Sequence, residues 1–258
     1  MMTRMLAAGI GMAMMAGAAP ALAASGETVK VYAAAVVQVS LSKIAEDFEA
    51  ATGNTVEVVF DSAGATEEHF RADPHGTLVI TAPGRIRNMA ADGVMENGTI
   101  IDLGSTVAGI AVPPGAPKPD VSTAEGLRAA LLAADRIAFS DPARGATVGN
   151  HFVSVIRELG IEDEVMAKAT LAMNGIETMH IVLEGGADIG ITQTSEVLQA
   201  NPDSLAGPFP KEFELATAFA LWYPDDVSPA SRAFLDALLS PEGRETLAAE
   251  GLVPPGAN

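Results

Sequence analysis

Residues 28–82 read TVKVYAAAVVQVSLSKIAEDFEAATGNTVEVVFDSAGATEEHFRADPHGTLVITA. Thr28-Val29-Lys30-Val31-Tyr32-Ala33 alternates in the manner of a strand. Polar Gln38 and Ser40 then lead into Leu41, Ile44, Ala45 and Phe48, the spacing of one helix face. Gly53-Asn54 stops that helix. Residues 56–60 (VEVVF) read as a second strand, Asp61-Ser62-Ala63-Gly64 as a loop, and the stretch around Glu67, Glu68 and Phe70 as a polar helix. Residues 78–82 (LVITA) are a third strand. This β-α-β-α-β order predicts a parallel sheet with covering helices, because crossovers between parallel strands must pack back onto the sheet.

After Gly104 the pattern changes. Residues 107–112 are an apolar strand, and 113–119 (PPGAPKP) a stiff surface segment. A helix over 123–134 has Thr123 as its cap, and 136–139 (RIAF) is another strand. Residues 140–147 form a loop before a helix carrying Phe152, Val155 and Ile156, and Gly190-Ile191 closes a further β-α-β series. Residues 214–222 (ELATAFALW) form a long apolar strand, 228–239 a helix capped at Ser228-Pro229, and 243–251 a last short helix. The expected fold is therefore α/β with two lobes, each a mostly parallel sheet flanked by helices. Lobe one takes residues 24–106 and 220–258, and lobe two takes 107–219. Two crossing segments join them around a ligand cleft of the kind that closes by hinge motion.

Composition narrows the partners. The chain has 258 residues, 48% hydrophobic and 19% charged, a soluble globular balance. Its net charge of −18 argues against nucleic acid and against anionic lipid as partners. Arg4, an apolar run over 5–19 and Ala21-Leu22-Ala23 fit a signal peptide over residues 1–23, cleaved after Ala23, which implies export to the periplasm. The chain has no Cys, so disulfides, thiol catalysis and thiolate metal sites are excluded, as is a lipid anchor on an N-terminal Cys.

Four loops follow strands and precede helices: residues 34–37, 61–64, 141–147 and 193–195. Each places free backbone N–H groups, carrying the helix's partial positive end, at the carboxyl edge of a sheet. For one loop, capping of its own helix is sufficient explanation. Four that converge on a cleft would bind a small anion without a formal cation. Searches for enzyme signatures fail: G-x-S-x-G, the P-loop and H-E-x-x-H are all absent, and His69, His75, His151 and His180 show no ligand spacing. Asp61 with Glu67 and Glu68 could be read as paired carboxylates, but a solvated helix start explains the two glutamates more simply. No cofactor or metal is expected, and the chain is read as non-catalytic.

Residues 185–198 (GGADIGITQTSEVL) pose the sharpest local question, since an apolar strand ends in amide and hydroxyl side chains. Thr194 or Ser195 is expected to cap the next helix, with Gln193 facing a ligand beyond the strand's carboxyl end.

These loops carry a family likeness. Val31-Tyr32-Ala33-Ala34-Ala35, Phe60-Asp61-Ser62-Ala63-Gly64, Asp141-Pro142, and Gly190-Ile191 followed by Ser195-Glu196 resemble the periplasmic molybdate-binding proteins of ABC importers, type II solute-binding proteins. The resemblance spans nearly the whole chain after the leader. It implies two α/β lobes, no catalysis, and delivery of a small anionic solute to an ABC permease in the inner membrane by a monomer. It also places the ligand against Ala35 and Val36 on the first loop and Ser62 and Ala63 on the second. Backbone donors near Ala146, Thr147 and Ile176, and the Gln193 side chain, complete that set.

The chain departs from the family pattern at three of these positions. Val36 stands where the family has a Ser, Ala63 where it has a second Ser (Ser62 is adjacent), and Gln193 where it often has a Tyr. The ligand is then either an oxyanion held mainly by backbone donors or a small carboxylate with some apolar surface. Arg144 is the candidate partner for a carboxylate. The alternative role is a ligand sensor that signals to a membrane receptor, and an enzyme ranks third.

Overall fold

The computed structural model describes residues 26–75, 77–95 and 97–256. The leader read at residues 1–23 lies outside these.

The first half opens with β1 (Thr28–Ala34), α1 (Gln38–Thr52), β2 (Thr55–Asp61), α2 (Ala63–Ala72), β3 (Thr77–Thr81) and α3 (Pro83–Ala91). Helix α1 forms where the apolar spacing predicts it. Leu41, Ile44, Ala45 and Phe48 are buried, and Gly53 at φ 71° ends the helix in a left-handed turn that only glycine enters freely. Burying side chains such as Leu41 and Phe48 contributes roughly 1.5–3 kcal/mol each. Strand β4 (Gly98–Ala111) leads into α4 (Ala124–Ala133), whose Thr123 cap accepts from the Gly126 N–H. Then follow β5 (Ile137–Ser140), α5 (Thr147–Glu158), α6 (Glu162–Met166), β6 (Ala169–Ala172), α7 (Gly175–Leu183), β7 (Ile189–Gln193), α8 (Thr194–Ala200) and β8 (Leu205–Pro208). The chain returns through β9 (Ala216–Pro224) and ends with α9 (Pro229–Leu239) and α10 (Pro241–Ala249).

The strand order is β2-β1-β3-β9-β4-β7-β5-β6, with β8 also paired to β4. Strand β1 runs parallel to β2 and β3, and β5 parallel to β6 and β7. Between these two parallel sets stand the antiparallel β4 and β9, which cross from one to the other. Strand β4 begins at Gly98, well before the expected residue 107. Its register shifts between Asp102 and Gly104, and this bulge breaks the alternation that would have marked the strand.

Each parallel set has its own core. Val31, Leu41, Leu78, Ile80, Leu221, Phe234 and Leu238 pack in the first. Ile110, Leu127, Leu131, Phe139, Phe152, Ile156 and Ile191 pack in the second. The fold is therefore two α/β lobes sharing two crossing strands. This topology sends the carboxyl ends of β1, β2, β5, β6 and β7 toward one cleft, each followed by a helix start.

Candidate functional site

At that cleft is a cavity of about 40 Å³. Lobe one contributes Ala34, Ala35 and Val36 after β1 and Ser62 and Ala63 after β2, and the crossing strand β9 adds Phe219. Lobe two contributes Ser140 at the end of β5, Ala146, Thr147 and Val148 at the start of α5, and Gly175 at the start of α7. Thr192, Gln193 and Glu196 complete the wall where β7 passes into α8. The residues before α2, α5, α7 and α8 are Ser62, Ala146, Asn174 and Gln193, and the turn over residues 35–37 before α1 is preceded by Ala34. The first N–H groups of a helix have no intrahelical acceptor, so these starts supply donors and partial positive charge. Among the lining residues Glu196 is the one titratable group, and none is cationic.

Of the residues expected from sequence, Ala35, Val36, Ser62, Ala63, Ala146, Thr147 and Gln193 all line the cavity. Ile176 does not; it is buried in α7 beside the lining residue Gly175. Arg144 is also outside the lining. Its guanidinium reaches both oxygens of Asp61, at 2.9 Å and 2.7 Å, and the Met173 carbonyl at 3.2 Å. That bond to Asp61 holds the arginine firmly charged. The Ser62 hydroxyl is engaged as well: it donates to the Arg144 carbonyl at 2.8 Å and accepts from the Ala65 N–H at 3.2 Å.

The lobes meet on two sides of the cavity. On one, Asp61 and Ser62 bond Arg144, and Arg85 Nη2 donates to the Gly145 carbonyl at 2.9 Å. The backbones of Gly64 and Gly145 touch there, and a Cβ on Gly64 would lie 2.6 Å from Gly145 Cα. On the other side, Gln199 of α8 donates to the Val36 carbonyl at 2.6 Å and accepts from the Val39 N–H at 3.1 Å.

The capping expected of Thr194 or Ser195 is corrected by the structure. Residue Gln193 is the N-cap, and Glu196 closes the helix start by accepting from the Gln193 N–H at 3.1 Å. Thr194 instead pairs its hydroxyl with Thr106 across to β4 at 3.0 Å, and the buried Ser195 hydroxyl has no partner among the described residues. The Glu196 carboxyl also accepts from the Thr192 hydroxyl. Gly175 makes this possible, because a Cβ there would collide with both the Glu196 carboxyl and Thr192. Burial pushes the Glu196 carboxyl above its ordinary range, and the bonds from Thr192 and Gln193 oppose that shift without cancelling it.

Sequence reasoning missed Glu196 and Thr192. An acidic residue three positions after a strand end has the spacing of a helix-start carboxyl, a signal that was available. Phe219 had no local signal, since it arrives through long-range pairing of β9. Among the histidines, His69 lies 3.2 Å from Asp61, and His151 bonds the Phe213 carbonyl at 2.7 Å. Among the described residues no group of His, Asp and Glu is arranged to hold a metal, and no helix is long and apolar enough to cross a membrane.

Comparison with known proteins adds four findings. The profile of the family described as bacterial extracellular solute-binding protein matches residues 29–253. An aconitate isomerase from Pseudomonas sp. is 24% identical over 250 residues, 94% of each chain. The periplasmic molybdate-binding protein of Azotobacter vinelandii superposes with a TM-score of 0.69 at 19% identity, over 88% of this chain and 99% of that one. PEB3, a Campylobacter jejuni protein, in its L-phospholactate-bound form has a TM-score of 0.61 at 18% identity, over 86% and 98% of the two chains.

Proposed function

The chain belongs to the bacterial extracellular solute-binding protein family, and on that premise we propose that it captures a small carboxylate in its interlobe cavity and hands it to an ABC permease. In this reading it is a periplasmic monomer that closes on its ligand by hinge motion. The observation that carries the reading is the convergence of helix starts on a cavity without a lining cation. Backbone donors of this kind hold a single anionic group. Size narrows the class further. The cavity, with about 40 Å³ of room for the centres of water-sized groups, suits a ligand of a few heavy atoms.

A carboxylate suits the walls better than a tetrahedral dianion. Val36, Ala63 and Phe219 present carbon, the Ser62 hydroxyl is already engaged, and a glutamate lies in the wall. Each missing hydrogen bond to a charged ligand weakens binding by roughly 1.5–3 kcal/mol. Titration calorimetry with acetate, glycolate, propionate, lactate, phosphate and molybdate tests this directly. Binding of molybdate or phosphate alone would overturn the carboxylate reading.

The family and its solved neighbours support binding without turnover. A second reading draws on the aconitate isomerase relative, with Glu196 as the group that moves a proton on an unsaturated acid. NMR of cis-aconitate incubated with the protein decides it, since an unchanged spectrum removes that reading. The small size of the cavity supports the first.

A further inference from the structure

One wall of the cavity is built from acceptors that lack donors. Glu196 takes both of its protein hydrogen bonds, from Thr192 and Gln193, on Oε2. Among the described residues no donor reaches its Oε1. The neighbouring Gln193 side-chain oxygen is buried with only the capping approach of the Glu196 N–H, which falls short of a full hydrogen bond, and both residues line the cavity. The helix starts, in contrast, offer N–H donors. The cavity therefore asks for a ligand with an acceptor at one end and a donor at the other.

A fully deprotonated anion has only acceptors, so it would set charge against the Glu196 carboxylate. A carboxylate with an adjacent hydroxyl matches both sides, its carboxylate on the helix starts and its hydroxyl donating to Glu196 Oε1. We propose that Glu196 determines specificity in this cavity, selecting small 2-hydroxy carboxylates over acceptor-only anions of the same size. The proposal rests on the small-carboxylate reading above and deepens it. Unmet acceptors in a buried site discriminate strongly against a ligand that cannot donate to them.

The selection depends on pH. Helix α8 packs against α7, β4, β7, β8 and residues 35–37 and 202–204, and none of these brings a charged group to act on Glu196. Burial, Thr192 and Gln193 are what act on it. Once Glu196 is protonated, Oε1 becomes a donor and acceptor-only anions fit.

The test compares glycolate with acetate, and lactate with propionate, by titration calorimetry at about pH 7.5 and about pH 5. The hydroxy acid of each pair is expected to bind about ten- to hundredfold tighter while Glu196 is ionised, with the gap narrowing as falling pH protonates it. In Glu196→Gln the carbonyl oxygen can keep both protein bonds while an amide donor replaces Oε1, so the preference is expected to vanish. Equal affinities in the wild type, or a preference that survives in the variant, overturn the proposal and leave the carboxylate reading standing. Binding of none of the four overturns both. If the variant does not fold, the wild-type series decides, since equal affinities within both pairs overturn the proposal.

Discussion

Asp61 at the end of β2 and Arg144 after β5 join the two lobes, with both carboxylate oxygens taking a hydrogen bond from one guanidinium nitrogen at 2.9 Å and 2.7 Å. Neither residue lines the cavity, so the pair ties lobe to lobe without touching that space. The Arg144 side chain is 36% exposed and that of Asp61 12%, so solvent screening holds its worth to about 1 kcal/mol. Arg144→Met is therefore expected to bias the ligand-free protein toward an open form. Small-angle scattering checks this, as the variant should have a larger radius of gyration than the wild type. Identical curves would show that the Ser62, Arg85 and Gln199 contacts suffice to keep the lobes together.

A sharper probe of closure is Gly64, where any side chain meets the backbone of Gly145 from the other lobe. Its own backbone angles suit alanine, and alanine in a helix is favoured over glycine by roughly 1 kcal/mol. Gly64→Ala should leave the free protein folded with its lobes apart, yet abolish stabilisation by glycolate or acetate. Retained ligand stabilisation in this variant would mean that binding does not require this approach of the lobes.

The β1-to-β3 series was legible because strand alternation and helix spacing are local signals, as Val31, Leu41 and Phe48 show. The first part of β4 was not, because the bulge at Asp102–Gly104 interrupts the period. Strand β6 has only four residues and exposes Leu171, too short and too wet to stand out. In the site, residues at strand ends before helices were readable from order alone, which brought Val36, Ala63, Thr147 and Gln193 to the cavity wall. What the sequence did not disclose was partnership. Nothing local to Arg144 tells that Asp61 engages it, and nothing near Phe219 tells that β9 carries it to the cavity.

Burial of Glu196 has a consequence for stability. A carboxyl whose value is raised on folding favours the folded state below its unfolded value, and that contribution is lost as pH rises through the folded value. From about pH 4 upward the wild type should therefore lose stability relative to Glu196→Gln, which keeps acceptors for Thr192 and Gln193. Thermal melts of both proteins from about pH 4 to about pH 8 measure the difference. A constant gap across that range would show that Glu196 titrates alike in the folded and unfolded chains.

The last test concerns Val36 and Ala63, which set carbon against the cavity where hydroxyls would suit an oxyanion. If missing donors are what exclude molybdate, the double variant Val36→Ser, Ala63→Ser should bind it at least tenfold tighter than the wild type. Each regained bond to the charged ligand is worth roughly 1.5–3 kcal/mol, about one to two powers of ten in affinity. Glu196 is present in both proteins, so its repulsion of the dianion weakens both affinities alike and the gain should not depend on its protonation. Propionate, whose methyl group would pack on Val36, should lose affinity in the same protein. Calorimetric titration of both proteins with both ligands separates the effects. Sub-micromolar molybdate binding by the wild type would show that backbone N–H groups alone satisfy an oxyanion here. No gain in the variant would show that the two new hydroxyls do not point at the ligand.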